Sequence, residues 1–296
     1  MTPPQQPVTV AVQPWMRDHA LEGRAVLPAV ETLLILAARA CEDFPQMTES
    51  GVRHMSEARF VRFLEIPETV GALEVLVSCR AGKPGTVRAV LSSRIRLKAM
   101  SRLLVHGEVL FGGTTTTKAG EEYAPEPAGA QVIPVEELYS RMVPFGPAYR
   151  TLQGELLLEE NRAWGRLRAP EHGKGRPEER LLGSPFPLDG AMHAACVLGQ
   201  QHVDYVPFPV GFDTRTIFRP TRAEERYSTL VRMRDCAPGE LVFDLWIRDR
   251  KNNLCELVSG LRMRDVLKQS AGKGGRARIR FRAPDDPDRK PEVFPR

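Results

Sequence analysis

The sequence predicts an α+β protein made of two similar halves, each an antiparallel sheet wrapped round one long helix. Three observations point there. Two apolar stretches, about 27–41 and 184–202, are long enough to be buried helices. Each is accompanied by several segments of alternating or β-branched character that read as strands. A polar interruption separates the two sets, and a length of 296 residues suits two fused copies of a small domain as well as two ordinary ones. A sheet curled round a central helix satisfies this inventory, because the helix buries all its faces while the sheet keeps one face wet.

In chain order, a strand-like opening leads to the helix at about 27–41, followed by strand candidates GALEVLVSC, TVRAVLSSRIRL and LLVHGEVLFGG. Residues 113–131, GTTTTKAGEEYAPEPAGAQ, are small, charged and Pro-containing and read as a linker. This assigns 1–112 to an N-terminal half and 132–266 to a C-terminal half. In the second half, strands near 152–169 precede SPFPLDGAMHAACVLGQQH, an apolar helix opened by prolines and an aspartate. Further strands follow near 208–219, 226–234, 240–249 and 253–264. Residues 267–296, including GKGGRARIRFRAPDDPDRKP, are rich in Gly, Pro and Arg and read as a basic flexible tail.

Charge and cysteine usage narrow the function classes. The net charge of +5 resides in the tail, where residues 268–296 hold nine Lys or Arg against four acids. Charge without a recognition fold is weak support for an RNA-binding arm, and attraction of an acidic protein partner explains it equally well. The body carries no sign of nucleic-acid binding. Cys41, Cys79, Cys196, Cys236 and Cys255 are odd in number and lack CxxC spacing, which argues against a disulfide framework and a zinc knuckle and for reduced thiols. His54, His172 and His202 show no metal-ligand spacing, and AGKGGRAR lacks the spacing of a phosphate loop. The N-terminus has no signal pattern, and no apolar run reaches the roughly 18 residues of a membrane span. The expectation is a soluble, cytoplasmic protein that uses no metal.

The segment DHALEGRAVLPAVETLLILAARA, residues 18–40, sets His19 four residues before Gly23 and nine before Pro28, just ahead of a helix. Packing alone gives a histidine no need of that spacing. HALEGRAVLP fits His-x-x-x-Gly-x-x-x-x-Pro; LLVHGEV places His106 on a strand before the linker; EELYSRMVPFGPAYRTL contains Phe145, Gly146, Pro147 and Tyr149; FPLDGAMHAA contains Asp189 and His193. These four stretches, in this order over about 14–265, resemble the motifs of polyketide synthase dehydratase domains.

The resemblance implies a double hot-dog fold and the removal of water from 3-hydroxyacyl thioesters on an acyl carrier protein, giving 2-enoyl thioesters in polyketide or fatty-acid-like biosynthesis. Such a hydro-lyase needs a base for the C2 proton and an acid for the departing C3 hydroxyl. A neutral histidine and a protonated carboxyl suit these tasks, so His19 is assigned as base and Asp189 as acid. A helix start favours the ionised carboxylate and an apolar tunnel favours the neutral acid, so desolvation must win at Asp189. His193, one turn on, is placed to orient it. Gly23 is expected to offer its amide to the thioester carbonyl, and Pro28 to fix the start of the central helix.

Phe145 stands where the family motif has tyrosine, and Tyr149 where phenylalanine is more usual. Together with Gly146 and Pro147 these are read as substrate-binding, with altered substrate positioning as the expectation. His106 reads as a strand residue packed near the linker. No cofactor is implied beyond the carrier's phosphopantetheine arm. The expected partners are an acidic acyl carrier protein, docked by arginines such as Arg150 or Arg215, other synthase domains or subunits, and a second copy in a homodimer. No ketosynthase, acyltransferase or carrier segment is recognisable. The same fold also serves product-template cyclases, double-bond isomerases and non-catalytic carrier-binding modules. The retained Asp189 favours dehydration over isomerisation.

Overall fold

Secondary structure follows the local patterning closely. The computed structural model describes residues 5–97, 100–113, 126–143, 145–172 and 174–266. The tail at 267–296 and most of the linker at 113–131 lie outside the described residues. Strand β1 (Gln6–Ala11) alternates half-buried and exposed residues. A 3-10 turn at Pro14–Asp18 leads into a short hairpin, β2 (Ala20–Leu21) and β3 (Arg24–Ala25). Pro28 is extended (φ −61°, ψ 148°) and stands immediately before α1 (Ala29–Asp43), where its carbonyl accepts the first helical bond from Thr32 N at 3.0 Å. Then come α2 (Glu49–Val52), β4 (His54–Phe60), β5 (Ala72–Ala81), β6 (Thr86–Leu97) and β7 (Met100–Gly112). The second half contributes β8 (Gln131–Pro134), α3 (Val135–Arg141), β9 (Leu152–Leu158), β10 (Arg162–Arg168), α4 (Glu179–Leu182), α5 (Phe186–Gly199), β11 (Phe208–Ile217), β12 (Arg226–Ala237), β13 (Glu240–Asp249) and β14 (Leu254–Arg264).

The strands join in one twelve-stranded antiparallel sheet of order β1-β5-β6-β7-β4-β11-β14-β13-β12-β10-β9-β8. Its two parts share a connectivity. In the first, the strand after the long helix, β4, lies beside the last strand, β7; in the second, β11 follows α5 and lies beside β14. Thus β1-β5-β6-β7-β4 corresponds to β10-β12-β13-β14-β11, with β9 and β8 added at the outer edge. This is the double hot-dog: α1 packs on β5, β6 and β7, and α5 packs on β9, β10, β12 and β13. Every residue of α5 is buried, which its sequence allows because Asp189 and His193 are its only ionisable residues apart from a thiol. The less apolar α1 keeps Glu42 exposed and pairs Arg39 with Glu42 and Asp43.

The halves meet where β4 pairs with β11, in register from Thr216↔His54 to Gly211↔Arg59. Arg215 lies on this seam opposite Met55. The sequence offered it as a carrier-docking residue, and the structure corrects this. Arg215 is 2% exposed and donates from Nε and Nη2 to Glu256 Oε2 at 3.0 and 2.7 Å. Its charge is spent inside the sheet. Arg150, by contrast, is exposed. Among the described residues no helix is long and apolar enough to cross a membrane.

Removing one partner of a buried ion pair strands the other charge. Arg215→Ala is expected to lower unfolding stability by roughly 3–5 kcal/mol. Arg24→Ala, at a largely exposed arginine 4.0 Å from Glu65, should change it by under about 0.5 kcal/mol. Urea unfolding midpoints of the two variants check this.

Candidate active site

The hairpin explains the spacing around His19. Glu22 and Gly23, at φ 49° and 77°, form the two-residue turn between β2 and β3. A Cβ at Gly23 would meet no protein atom within 4 Å, so within the protein the glycine serves its backbone conformation. The turn folds Val26 back beside His19: Val26 N donates to His19 O at 2.9 Å, and His19 Nδ1 lies 3.1 Å from Val26 O. A carbonyl only accepts, so Nδ1 carries the hydrogen and Nε2 keeps its lone pair. Two residues later Pro28 starts the helix.

Burial pushes the His19 pKa from 6.5 down to about 4, an effect opposed by the charge of Asp189. The imidazole is therefore neutral at physiological pH, in the form of a base. Its ring stacks on Phe145, with centroids 4.2 Å apart and planes at 14°, and meets the edge of Tyr149 at 5.2 Å.

Asp189 lies in the first turn of α5, 5% exposed. One turn on, His193 Nε2 approaches Asp189 Oδ2 to 3.1 Å but is not aligned for a hydrogen bond. Among the described residues Oδ2 has no hydrogen-bond partner. On its other side His193 has Nδ1 3.3 Å from the Tyr139 hydroxyl, which itself accepts from Leu152 N at 3.1 Å. Phe145 stacks on His193 as well, at 5.0 Å and 29°. One phenyl ring thus stands between the two imidazoles and spaces the halves' polar groups.

His19, Gly23, Phe145, Asp189 and His193 all line one cleft of about 3140 Å³. That is well above the ~300–1,000 Å³ of a small-molecule pocket, and suits an extended molecule lying in an open groove. The groove brings His19 of the first half together with Asp189 of the second.

The family model for the polyketide synthase dehydratase N-terminal domain matches residues 117–273, more than half of the sequence. The chain belongs to the polyketide synthase dehydratase family. A curated relative, the mycoketide-CoA synthase of Mycobacterium tuberculosis, is 30% identical over 211 residues, which cover 67% of this chain and 5% of that protein. The chain therefore spans about a twentieth of this relative. Among solved structures, a trans-AT dehydratase domain from Brevibacillus brevis superposes with a TM-score of 0.70 at 15% identity, covering 90% of this chain and 95% of that one. The dehydratase domain of PpsC from Mycobacterium tuberculosis gives 0.68 at 15% identity, covering 88% and 92%. The double hot-dog of this dehydratase family is the fold seen here.

Several of the motif residues act behind the groove and not in its wall. Of the expected substrate contacts, Phe145 lines the cleft, whereas Gly146 and Pro147 are not among its lining residues and Tyr149 is 0% exposed, packed between His19 and Phe186. Pro28 is confined to the helix start. His106 lines the cleft with both ring nitrogens engaged, Nε2 with Ser93 Oγ at 2.7 Å and Nδ1 with Arg62 O at 3.2 Å. Sequence reasoning missed Tyr139, Asp18 and the carbonyl of Val26. Asp18 alone had a signal, its place next to His19.

The tautomer and burial of His19 give a direct expectation. In an NMR titration its ring should carry the hydrogen at Nδ1 and protonate with a midpoint near pH 4. A midpoint near 6.5 would show the ring to be solvated.

Proposed function

We propose that the protein dehydrates 3-hydroxyacyl thioesters delivered on an acyl carrier protein, with His19 as base and Asp189 as acid. One observation carries this reading: His19, whose Nε2 keeps its lone pair, and Asp189 line one groove. His19 Nε2 takes the C2 proton, whose bonding electrons become the C2–C3 double bond. Asp189 gives a proton to the C3 hydroxyl, which leaves as water. The reaction ends with imidazolium and carboxylate, and proton exchange with solvent restores both. A buried carboxyl oxygen without a partner in the free protein gains one when the substrate hydroxyl arrives. Isomerisation needs no acid at C3, so the position of Asp189 favours dehydration.

His193 acts as an orienting group, held by Tyr139 from behind. Gly23 lines the groove where its turn presents backbone to an acyl chain. Arg24 and Arg59, on the groove wall with side chains 72% and 71% exposed, offer positive charge to an acidic carrier or to the phosphate of its pantetheine arm. The matched segment is a small part of its relative, which fits action beside other synthase domains or subunits. A homodimer in solution completes the proposal.

Mass spectrometry of a 3-hydroxyacyl thioester, and of the enoyl thioester run in reverse, tests the reading. Wild type should exchange one water, and His19→Ala and Asp189→Asn should each lose about 10²–10⁴-fold of the rate. Absence of exchange in wild type across several chain lengths would contradict it. Because His19 stays neutral down to about pH 4, kcat/KM should lack an acid limb near pH 6.5 and fall with a midpoint near 4. Phe145→Tyr adds a hydroxyl to the edge of the ring that stacks on both imidazoles and should change kcat or KM; unaltered kinetics would discredit the positioning role of that ring.

A further inference from the structure

Asp18 is tied twice to the other half of the molecule. Its backbone carbonyl accepts from Gly146 N at 2.7 Å, and its carboxylate Oδ2 accepts from Ala148 N at 2.8 Å. The approach is close enough to exclude any side chain: a Cβ built on Gly146 would fall 2.8 Å from both Cβ and Cγ of Asp18 and 3.0 Å from its Cα. Between these ties and His19 there is no slack, since Asp18 immediately precedes the base. On the far side, Phe145 N donates to Val143 O at 2.9 Å and Arg150 Nε donates to Phe145 O at 3.1 Å. The Phe145 ring is thereby fixed from both ends of its own backbone, in contact with His19 and His193.

We infer that Asp18 is a positioning residue that fastens the Phe145 segment of the C-terminal half to the segment bearing His19, and so sets the spacing between His19 and the Asp189–His193 pair. The kinetic consequence rests on the dehydratase reading; the geometric one does not. The carboxylate works here as a hydrogen-bond acceptor, so an amide oxygen in the same place serves and a methyl group does not.

The test compares Asp18→Ala, Asp18→Asn and Gly146→Ala in the full chain, by steady-state kinetics on the 3-hydroxyacyl thioester and by NMR of the His19 ring protons, which the stacked Phe145 ring shields. Asp18→Ala and Gly146→Ala should lower kcat about 10- to 100-fold with little change in KM, and move the His19 resonances. Asp18→Asn should keep most of the kcat, the wild-type resonances and the wild-type acid limb. Gly146→Ala approaches the contact from the opposite side, so the idea stays open to refutation if Asp18→Ala does not fold. Wild-type kcat and unshifted resonances in Asp18→Ala would overturn the inference. So would an Asp18→Asn as impaired as Asp18→Ala, because charge and not the tie would then matter. If wild type itself exchanges no water, the dehydratase reading fails and the resonances still decide the tie.

Discussion

Pairing of β4 with β11 joins two five-strand units that each already have a helix to cover, and the rest of the molecule depends on that join. Alone, either unit would end in an unpaired strand edge at its most central position. Joined, the edges satisfy one another, the sheet runs on through twelve strands, and α1 and α5 are brought into contact. The groove exists because of this arrangement: His19 comes from before α1 and Asp189 from the start of α5, so neither half alone holds both residues. The ion pair of Arg215 and Glu256 bridges β11 and β14 beside this seam, and a slip between those two strands would leave two charges buried and uncompensated.

Burial then gives the two polar groups their character. His19 is held between a carbonyl and two aromatic rings, surroundings that offer its charged form little, so it stays a neutral base. Asp189 keeps one oxygen free of hydrogen bonds while His193 stands close without capturing it. Phe145 is the spacer: it stacks on both imidazoles and lines the groove with them. Such an arrangement trades some stability in the free protein for groups already placed for reaction.

Much of this was legible in the sequence, and the exceptions have physical causes. TVRAVLSSRIRL is β6 residue for residue, because strong alternation and β-branching leave no competing period. The first helix begins at Ala29 and not near 27, since Pro28 itself adopts the extended conformation that precedes a helix. Strand β4 escaped notice: HMSEARF is short and carries Glu57 and Arg59 among its seven residues, and its central place in the sheet is decided by β11, over 150 residues away. That His19 and Asp189 line one groove was legible through the motifs, but the placing of their neighbours was not. Tyr149 and Gly146 look like substrate contacts in a linear motif, and only the packing shows one filling space behind His19 and the other yielding space to Asp18. Arg215 looked like a surface charge because nothing in its flanking residues announces Glu256.

The central claim is that one group from each half forms a single catalytic unit. A double-mutant cycle on water exchange, comparing His19→Ala, Asp189→Asn and the two together, measures this most directly. Groups that act as one unit give a double variant hardly slower than the worse single one. Losses that multiply, or a single variant with near wild-type exchange, would contradict the account.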